Sequence, residues 1–194
     1  MFTRYVDITR RLTNSIEAWP GDPLVHITRV VSGNPADPSV SSVHFGTHTG
    51  THIDYPMHLH LNRTPPGFDV LIGPCNVLEG SSLRLLLADG SPVGPRLLIK
   101  GPAPLAVEDA EALVRHGIRL VGVELPSIEE GSSLIVHRLL LGSGVAVIEG
   151  LTLEAVQEGP AFLIALPLSL QADDGAPVRA VLAYLPISPS ARSS

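Results

Sequence analysis

The pattern of hydrophobic and polar positions divides the chain into two parts of different character. Up to about residue 65, apolar residues do not recur at helical spacing, and the segment is rich in Thr, Val, His and Pro. Short β-branched stretches there, and two more after residue 69, predict strands bounded by turns such as Trp19–Pro23. The predicted strands are Tyr5–Ile8, Leu24–Val31, Val43–His48, Val70–Leu78 and Ser82–Leu87.

The second half alternates helical and buried-strand patterns. An amphipathic helix is predicted over Leu105–His116, with acidic residues in its first turn and Gly117 as its stop signal. Ser132 and Ser133 are expected to cap a short helix that runs to Leu141. The remaining strands are predicted at 97–100, Ile118–Val123, Val145–Ile148, Phe162–Leu170 and Val178–Leu185. This pattern indicates a mixed, β-rich α/β fold with parallel pairs in the second half.

Composition excludes several classes of protein. The 194 residues suit one domain over 1–194, and the net charge of −6 argues against nucleic acid or an anionic membrane as a partner. A single cysteine, Cys75, excludes an intrachain disulfide and a zinc site with several Cys ligands. The sequence starts without a signal-peptide pattern, and its longest apolar run is too short to cross a bilayer. We therefore expect a soluble, cytoplasmic protein.

The most unusual feature is a cluster of histidines, because five of the eight lie between residues 44 and 60, in HFGTHTGTHIDYPMHLH. Imidazole nitrogens and carboxylate oxygens are ligands of zinc, manganese and ferrous iron. The nearby glycine, proline and β-branched residues disfavour a helix here. In an extended chain, four of these side chains would share one face. They are His48, His52, Asp54 and His58.

A straight strand cannot bring these four side chains to one ion, because His48 and His58 would lie about 33 Å apart. Gly46, Gly50 and Pro56 permit a bend, so we expect a strand that curls into a loop with converging side chains. The alternative is a polar strand with exposed histidines. His44 and His60 are expected at the surface or outside the ligand shell.

The segment 48–58 matches HxGTHxDxPxH, and in this respect the chain resembles the cyclase / kynurenine formamidase family of metal-dependent hydrolases. Similar segments occur at WPGDP (19–23), LIGPCNV (71–77), GIRLVGVELPSIE (117–129) and VAVIEGL (145–151), so the resemblance covers nearly the whole chain. It implies a swivelling β/β/α-type single domain. It also implies a site that usually holds two metal ions, most often Zn²⁺ and in some members Mn²⁺.

The resemblance also implies residue roles. His48, His52 and Asp54 match metal ligands, with Asp54 bridging the two ions, and His137 and Glu149 match the remaining ligand pair. His58 matches the catalytic acid/base. Independently, Glu149 follows a buried apolar strand, where an unpaired carboxylate would be costly. The alternatives are a core histidine at His137 and an exposed acid at Glu149. Trp19, the only tryptophan, lies in a Pro/Gly-rich turn and is expected to line the substrate pocket.

The function expected from these residues is hydrolysis of a formamide, cyclic amide, lactone or ester by metal-activated water. Kynurenine formamidase (arylformamidase) activity, and with it a role in tryptophan catabolism, is one form of this expectation. Two alternatives stay open: a biosynthetic cyclase or dehydratase with the same metal site, and a non-catalytic metal-binding module. The expected partners are a small-molecule substrate and further copies of the chain, in a homodimer or higher homo-oligomer.

Overall fold

A computed structural model describes residues 2–30, 34, 36–89 and 93–185. Ten strands and five helical segments follow in chain order. The strands are β1 (Arg4–Asp7), β2 (His26–Val30), β3 (Val40–His44), β4 (His52–Asp54), β5 (Ile72–Glu79), β6 (Arg96–Lys100), β7 (Leu120–Val123), β8 (Ala146–Glu149), β9 (Gly159–Pro167) and β10 (Gly175–Tyr184). The helices are α1 (Phe68–Leu71), α2 (Gly80–Asp89), α3 (Val107–Arg115) and α4 (Ile135–Gly142), with a 3₁₀ turn at Pro56–Leu59.

Seven strands form a barrel in the order β10-β4-β8-β7-β6-β5-β9, which is closed because β9 pairs with β10. Strand β1 pairs with the C-terminal part of β10, at residues 181–184. The neighbours β5/β6, β6/β7 and β7/β8 are parallel, as the alternation of strands and helices in the second half predicts. The other barrel pairs are antiparallel. The predicted β-rich, mixed α/β fold is therefore confirmed.

Two hydrophobic clusters divide the strand side chains between the faces of the barrel. The first fills the interior and contains Ile53, Ile148 and Leu182. The second contains Val121 and Val147 and lies between the strands and the helices. Because side chains alternate along a strand, the neighbours of Ile53 and Ile148 face outward, toward the helices. Three of the functional residues described below, His52, Asp54 and Glu149, are such neighbours.

The strand predicted at Ser82–Leu87 is wrong, because this segment lies in α2. Its sequence places leucines at 83, 86 and 87, which is helical spacing, and Leu, Arg and Ala favour helix. The strand predicted at Val70–Leu78 begins instead with the single turn α1. The strand predicted to end at His48 ends at His44, and the chain then turns at 46–49.

The paired strands β2 and β3 form a separate two-stranded sheet, which we call the arm. Val30, Val40 and Val43 on the arm are each more than half exposed. Asn14 anchors strand β2 of the arm. Its side chain accepts from the Ile27 N–H at 2.6 Å and donates to the Ile27 carbonyl at 3.1 Å. None of the described helices is long and apolar enough to span a membrane.

Candidate metal centre

Strands β4 and β8 provide the base of the site. In their antiparallel register, His52 lies opposite Glu149 and Ile53 lies opposite Ile148. The two isoleucines point into the barrel, so His52, Asp54 and Glu149 share the outer face. All three polar side chains are almost completely buried. The sequence motif contains two of these residues, and strand pairing adds the third.

The chain bends before β4 and brings His48 to the same place. The Thr49 N–H donates to the Gly46 carbonyl at 3.1 Å and closes a turn at 46–49. Gly150, at φ +68°, lets the chain pass so close to the Gly50 carbonyl that an added Cβ would clash with it. The expected curled strand is therefore confirmed, but only His52–Asp54 is regular strand.

Helix α4 supplies His137, and Glu129 fixes the start of this helix. The Glu129 carboxylate accepts from the backbone N–H groups of Val136 and His137, at 3.3 and 3.0 Å. The expected capping by Ser132 and Ser133 is wrong, because the residue before the helix is Leu134, in a left-handed conformation without a side-chain cap. Ser133 instead donates its hydroxyl to Glu129 at 3.0 Å. Glu129 takes over the capping role because its carboxylate can satisfy two first-turn donors.

The ligand atoms converge in two groups that share Asp54. One group is His48, His52 and Asp54, and the other is Asp54, His137 and Glu149. Asp54 Oδ1 lies 2.9 Å from His48 Nδ1 and 3.4 Å from His52 Nε2, and its Oδ2 lies 3.4 Å from His137 Nε2. Glu149 joins the groups as well, since its oxygens lie 3.3 Å from His52 Nε2 and 3.0 Å from His137 Nε2.

The imidazoles of His48, His52 and His137 each have one nitrogen directed at Asp54 or Glu149. The other nitrogen of each ring contacts an oxygen outside the ligand groups. His52 Nδ1–H donates to the Gly50 carbonyl at 3.0 Å, and His137 Nδ1–H donates to Glu129 at 2.6 Å. His48 Nε2 lies 3.2 Å from Asp174. Such outer partners fix the ring orientation and leave the inner nitrogen free to bind a cation.

The inner nitrogens and the carboxylate oxygens are all lone-pair donors, so a proton or a metal ion must lie between them. Burial alone would lower the pKa values of His52 and His137. Hydrogen bonds to Asp54 and Glu149 outweigh burial and raise these pKa values to about 10 and about 11. Burial would raise the pKa of Asp54, but its hydrogen bonds to the three rings hold that pKa well below its usual range. Protons and metal ions compete for these same positions.

Asp54 Oδ2 provides a further sign of a cation site, because among the described residues this buried oxygen has only a long contact with His137 Nε2, at 3.4 Å and outside the geometry of a well-formed hydrogen bond. An unsatisfied buried carboxylate oxygen is costly. Three imidazoles and two carboxylates form a donor set that suits a divalent transition metal. The residues therefore fit a divalent metal ion.

The other predicted site residues surround this centre. His58 belongs to neither ligand group; it lies in the 3₁₀ turn after Pro56, half-buried, with its ring centroid 4.2 Å from that of His48. Burial lowers the pKa of His58, which favours the neutral form of its ring. Trp19 is 48% exposed and lines the cavity above the centre. His44 and His60 are exposed.

Sequence reasoning missed the two carboxylates that hold the imidazoles from outside, Glu129 and Asp174. Neither belongs to the histidine motif. Asp174 lies in the loop before β10, where its Oδ2 also accepts from the Thr47 hydroxyl at 2.6 Å. Gly175 follows, and an added Cβ there would come within 2.9 Å of His48 Cε1.

The outer partner of His137 leads to a first prediction. Glu129→Gln keeps an acceptor for the backbone of α4 but removes the charge that holds the His137 ring. We expect the affinity for Zn²⁺ to fall by about 10–100-fold, the usual effect of losing such a partner. Competition with a zinc-binding dye measures this affinity. Glu130→Gln is the matched control, since Glu130 is exposed and the carboxylate that accepts from His137 Nδ1–H is that of Glu129. Unchanged affinity in Glu129→Gln would refute the role given to Glu129.

Comparison with known proteins agrees with this geometry. A family model described as "Putative cyclase" matches residues 6–89, which include the histidine motif. A solved structure titled as a potential metal-dependent hydrolase with cyclase activity is 27% identical, with a TM-score of 0.73 over 93% of this chain and 98% of that chain. A predicted metal-dependent hydrolase from Bacillus stearothermophilus is 26% identical, with a TM-score of 0.72 over the same shares of the two chains.

A more distant structure shows how far the fold extends. Isatin hydrolase A from Ralstonia solanacearum is 20% identical, with a TM-score of 0.76 over 94% of this chain and 92% of that chain. At this identity the likeness concerns the fold. The resemblance found in the motif is thus confirmed: the chain carries the cyclase-family signature over residues 6–89 and, over nearly its whole length, the fold of cyclase-family metal-dependent hydrolases.

Proposed function

We propose that this chain is a metal-dependent hydrolase that cleaves the C–N or C–O bond of a formamide, cyclic amide, lactone or ester. The observation that carries the proposal is the pair of ligand groups sharing Asp54, with His58 beside them and outside both. His48, His52, Asp54, His137 and Glu149 would hold two divalent ions, which we propose to be Zn²⁺, with Mn²⁺ as the alternative. Bound there, such ions polarise a carbonyl group and acidify water.

His58 would move the proton. A water molecule adds to the carbonyl carbon and gives its proton to the neutral His58 ring. The C–N or C–O bond then breaks, and His58 returns the proton to the leaving nitrogen or oxygen. The lowered pKa of His58 supports the first step, because a general base must be unprotonated at working pH. Trp19 would form a wall of the cavity and limit access of bulk water.

A cyclase or dehydratase reaction at the same site is the second candidate. It is favoured by the 27% identical structure described as a potential metal-dependent hydrolase with cyclase activity. In that case His58 would take a proton from the substrate, and water would leave instead of being added. The two candidates therefore differ in the fate of a water oxygen.

The experiment follows that oxygen while controlling the metal. The protein is stripped with a chelator, reloaded with Zn²⁺ or Mn²⁺, and assayed with N-formylkynurenine, formanilide, isatin, a δ-lactone and phenyl acetate in H₂¹⁸O. We expect turnover of at least one compound, lost on chelation and restored by the ion, with one ¹⁸O in the acid product. No turnover by fully loaded protein would refute hydrolysis and favour the non-catalytic metal-binding module. Ring closure with release of water would favour the cyclase.

We also propose that the chain forms a homodimer or a higher homo-oligomer. The arm supports this, since an isolated two-stranded sheet is marginally stable in water, and Val30, Val40 and Val43 are exposed on it. Covering these side chains with a second copy would remove apolar surface from water.

A further inference from the structure

Two hollows lie side by side above the metal centre. The first has a volume of about 300 Å³, with the ligand residues as its floor and Trp19, Pro126 and Leu134 among its walls. The second has a volume of about 390 Å³ and shares Trp19, Pro126, Ser127 and Gly131 with the first. A compound whose carbonyl lies over the metal centre can therefore extend past Trp19 and Pro126 into the second hollow.

The second hollow is mainly apolar. Pro102, Pro104 and Leu125 line it together with the shared Trp19 and Pro126. Prolines offer no backbone N–H, and the indole ring offers a face for stacking on an aryl group. This hollow therefore suits an aryl or alkyl group better than a group with several hydrogen bonds to satisfy.

Outside the metal centre, the charged side chains among the described residues that line the two hollows are acidic. Neither hollow is lined by a Lys or Arg among the described residues. Asp22 lines the first hollow and Glu130 the second, and neither carboxylate forms a hydrogen bond or ion pair with any described residue. Arg10 lines neighbouring hollows instead, and its guanidinium donates to the carbonyls of Glu124 and Gly150.

A charged group on the substrate would interact with these acidic side chains. A carboxylate at the distal end, beyond the metal centre, would lie near Asp22 or Glu130 with no Lys or Arg among the described lining residues, whereas an ammonium group would lie near two unpaired carboxylates. Asp22 is partly buried, which strengthens its attraction or repulsion, whereas Glu130 is exposed and its effect is screened by solvent. The charge at the distal end of the substrate should therefore alter binding.

We propose that the substrate is a carbonyl compound without a carboxylate, whose distal aryl or alkyl group lies in the second hollow, and that an amine on this group strengthens binding. The proposal rests on the proposed function for the position of the carbonyl. It adds the charge class of the substrate, and it places carboxylate-bearing amides and esters among the poor substrates.

The test uses three formanilides that differ only at the 4-position: propyl, 2-aminoethyl and carboxymethyl. The methylene spacers keep the reactivity of the amide similar across the three. With Zn²⁺-loaded protein, we expect kcat/KM to rank amine, then propyl, then carboxylate, with at least a tenfold gap between the first and the last. In the double variant Asp22→Asn, Glu130→Gln, this gap should shrink to about threefold or less. Glu111→Gln, an exposed acid on α3, is the control for overall charge and should keep the gap.

Binding is measured separately, through the fluorescence of Trp19, the single tryptophan. The same affinity order is expected whether or not the compounds are turned over. Correct order without turnover would sustain the inference while the proposed hydrolysis of these amides fails. Turnover with the carboxylate compound equal or preferred, or a charge preference unchanged in the double variant, would overturn the inference and leave the proposed hydrolysis standing.

Discussion

His58→Ala should lower kcat by about 10²–10⁴-fold, the usual contribution of general acid–base catalysis, while metal content and melting temperature stay close to those of the unchanged protein. The His58 ring lies against His48 but belongs to neither ligand group. A nitrogen bound to a metal cannot carry a proton, whereas the neutral ring of His58 can accept one. Metal per chain and kcat, measured on the same samples, check both parts of the expectation.

His52→Ala is the matched variant, since it removes the same ring from the same motif. His52 Nε2 faces Asp54 and Glu149, so its loss should reduce metal content and activity together. The two variants thus separate proton transfer from metal binding. Metal loss in His58→Ala with full loading in His52→Ala would mean that the two roles are exchanged.

Asp54→Asn should deplete the site of both ions and lower activity by more than about 10³-fold. Asp54 is the carboxylate common to both ligand groups, and two ions can share its two oxygens. Asparagine retains one oxygen donor but loses the charge and the second oxygen. Elemental analysis of the purified variant measures the effect.

Two further variants make this result specific. Glu149→Gln should weaken mainly the ion held with His137, to which Glu149 Oε1 is 3.0 Å away. Asp109→Asn applies the same Asp-to-Asn change to a buried residue whose partners are Arg84 and the Ala106 N–H, none of them a ligand residue, and its metal content should be normal. Full metal occupancy in both Asp54→Asn and Glu149→Gln would refute the ligand assignment.

The parts of the fold that the sequence predicts are those determined locally. Strand and helix patterns of the second half agree with the structure to within a few residues, because each segment buries a continuous apolar face. The strand predicted at Ser82–Leu87 is wrong because the run of leucines there fits a short strand as well as the helix α2.

The site was only partly predictable for a different reason. The motif contains His48, His52, Asp54 and His58, but the meeting with Glu149 depends on the register between β4 and β8, which is a tertiary property. Glu129 and Asp174 come from loops without any motif. Their role depends on which ring nitrogen faces outward, and no sequence pattern specifies that.

We infer that five side chains from the 48–54 segment, α4 and β8 together hold divalent metal ions. Elemental analysis of protein purified without a metal-binding tag tests it most directly, with His52→Ala, Asp54→Asn and His58→Ala prepared in parallel. We predict two divalent ions per chain in the unchanged protein and in His58→Ala, and clear depletion in the other two. Equal metal content in all four proteins, or a fully active protein without metal, would contradict the account.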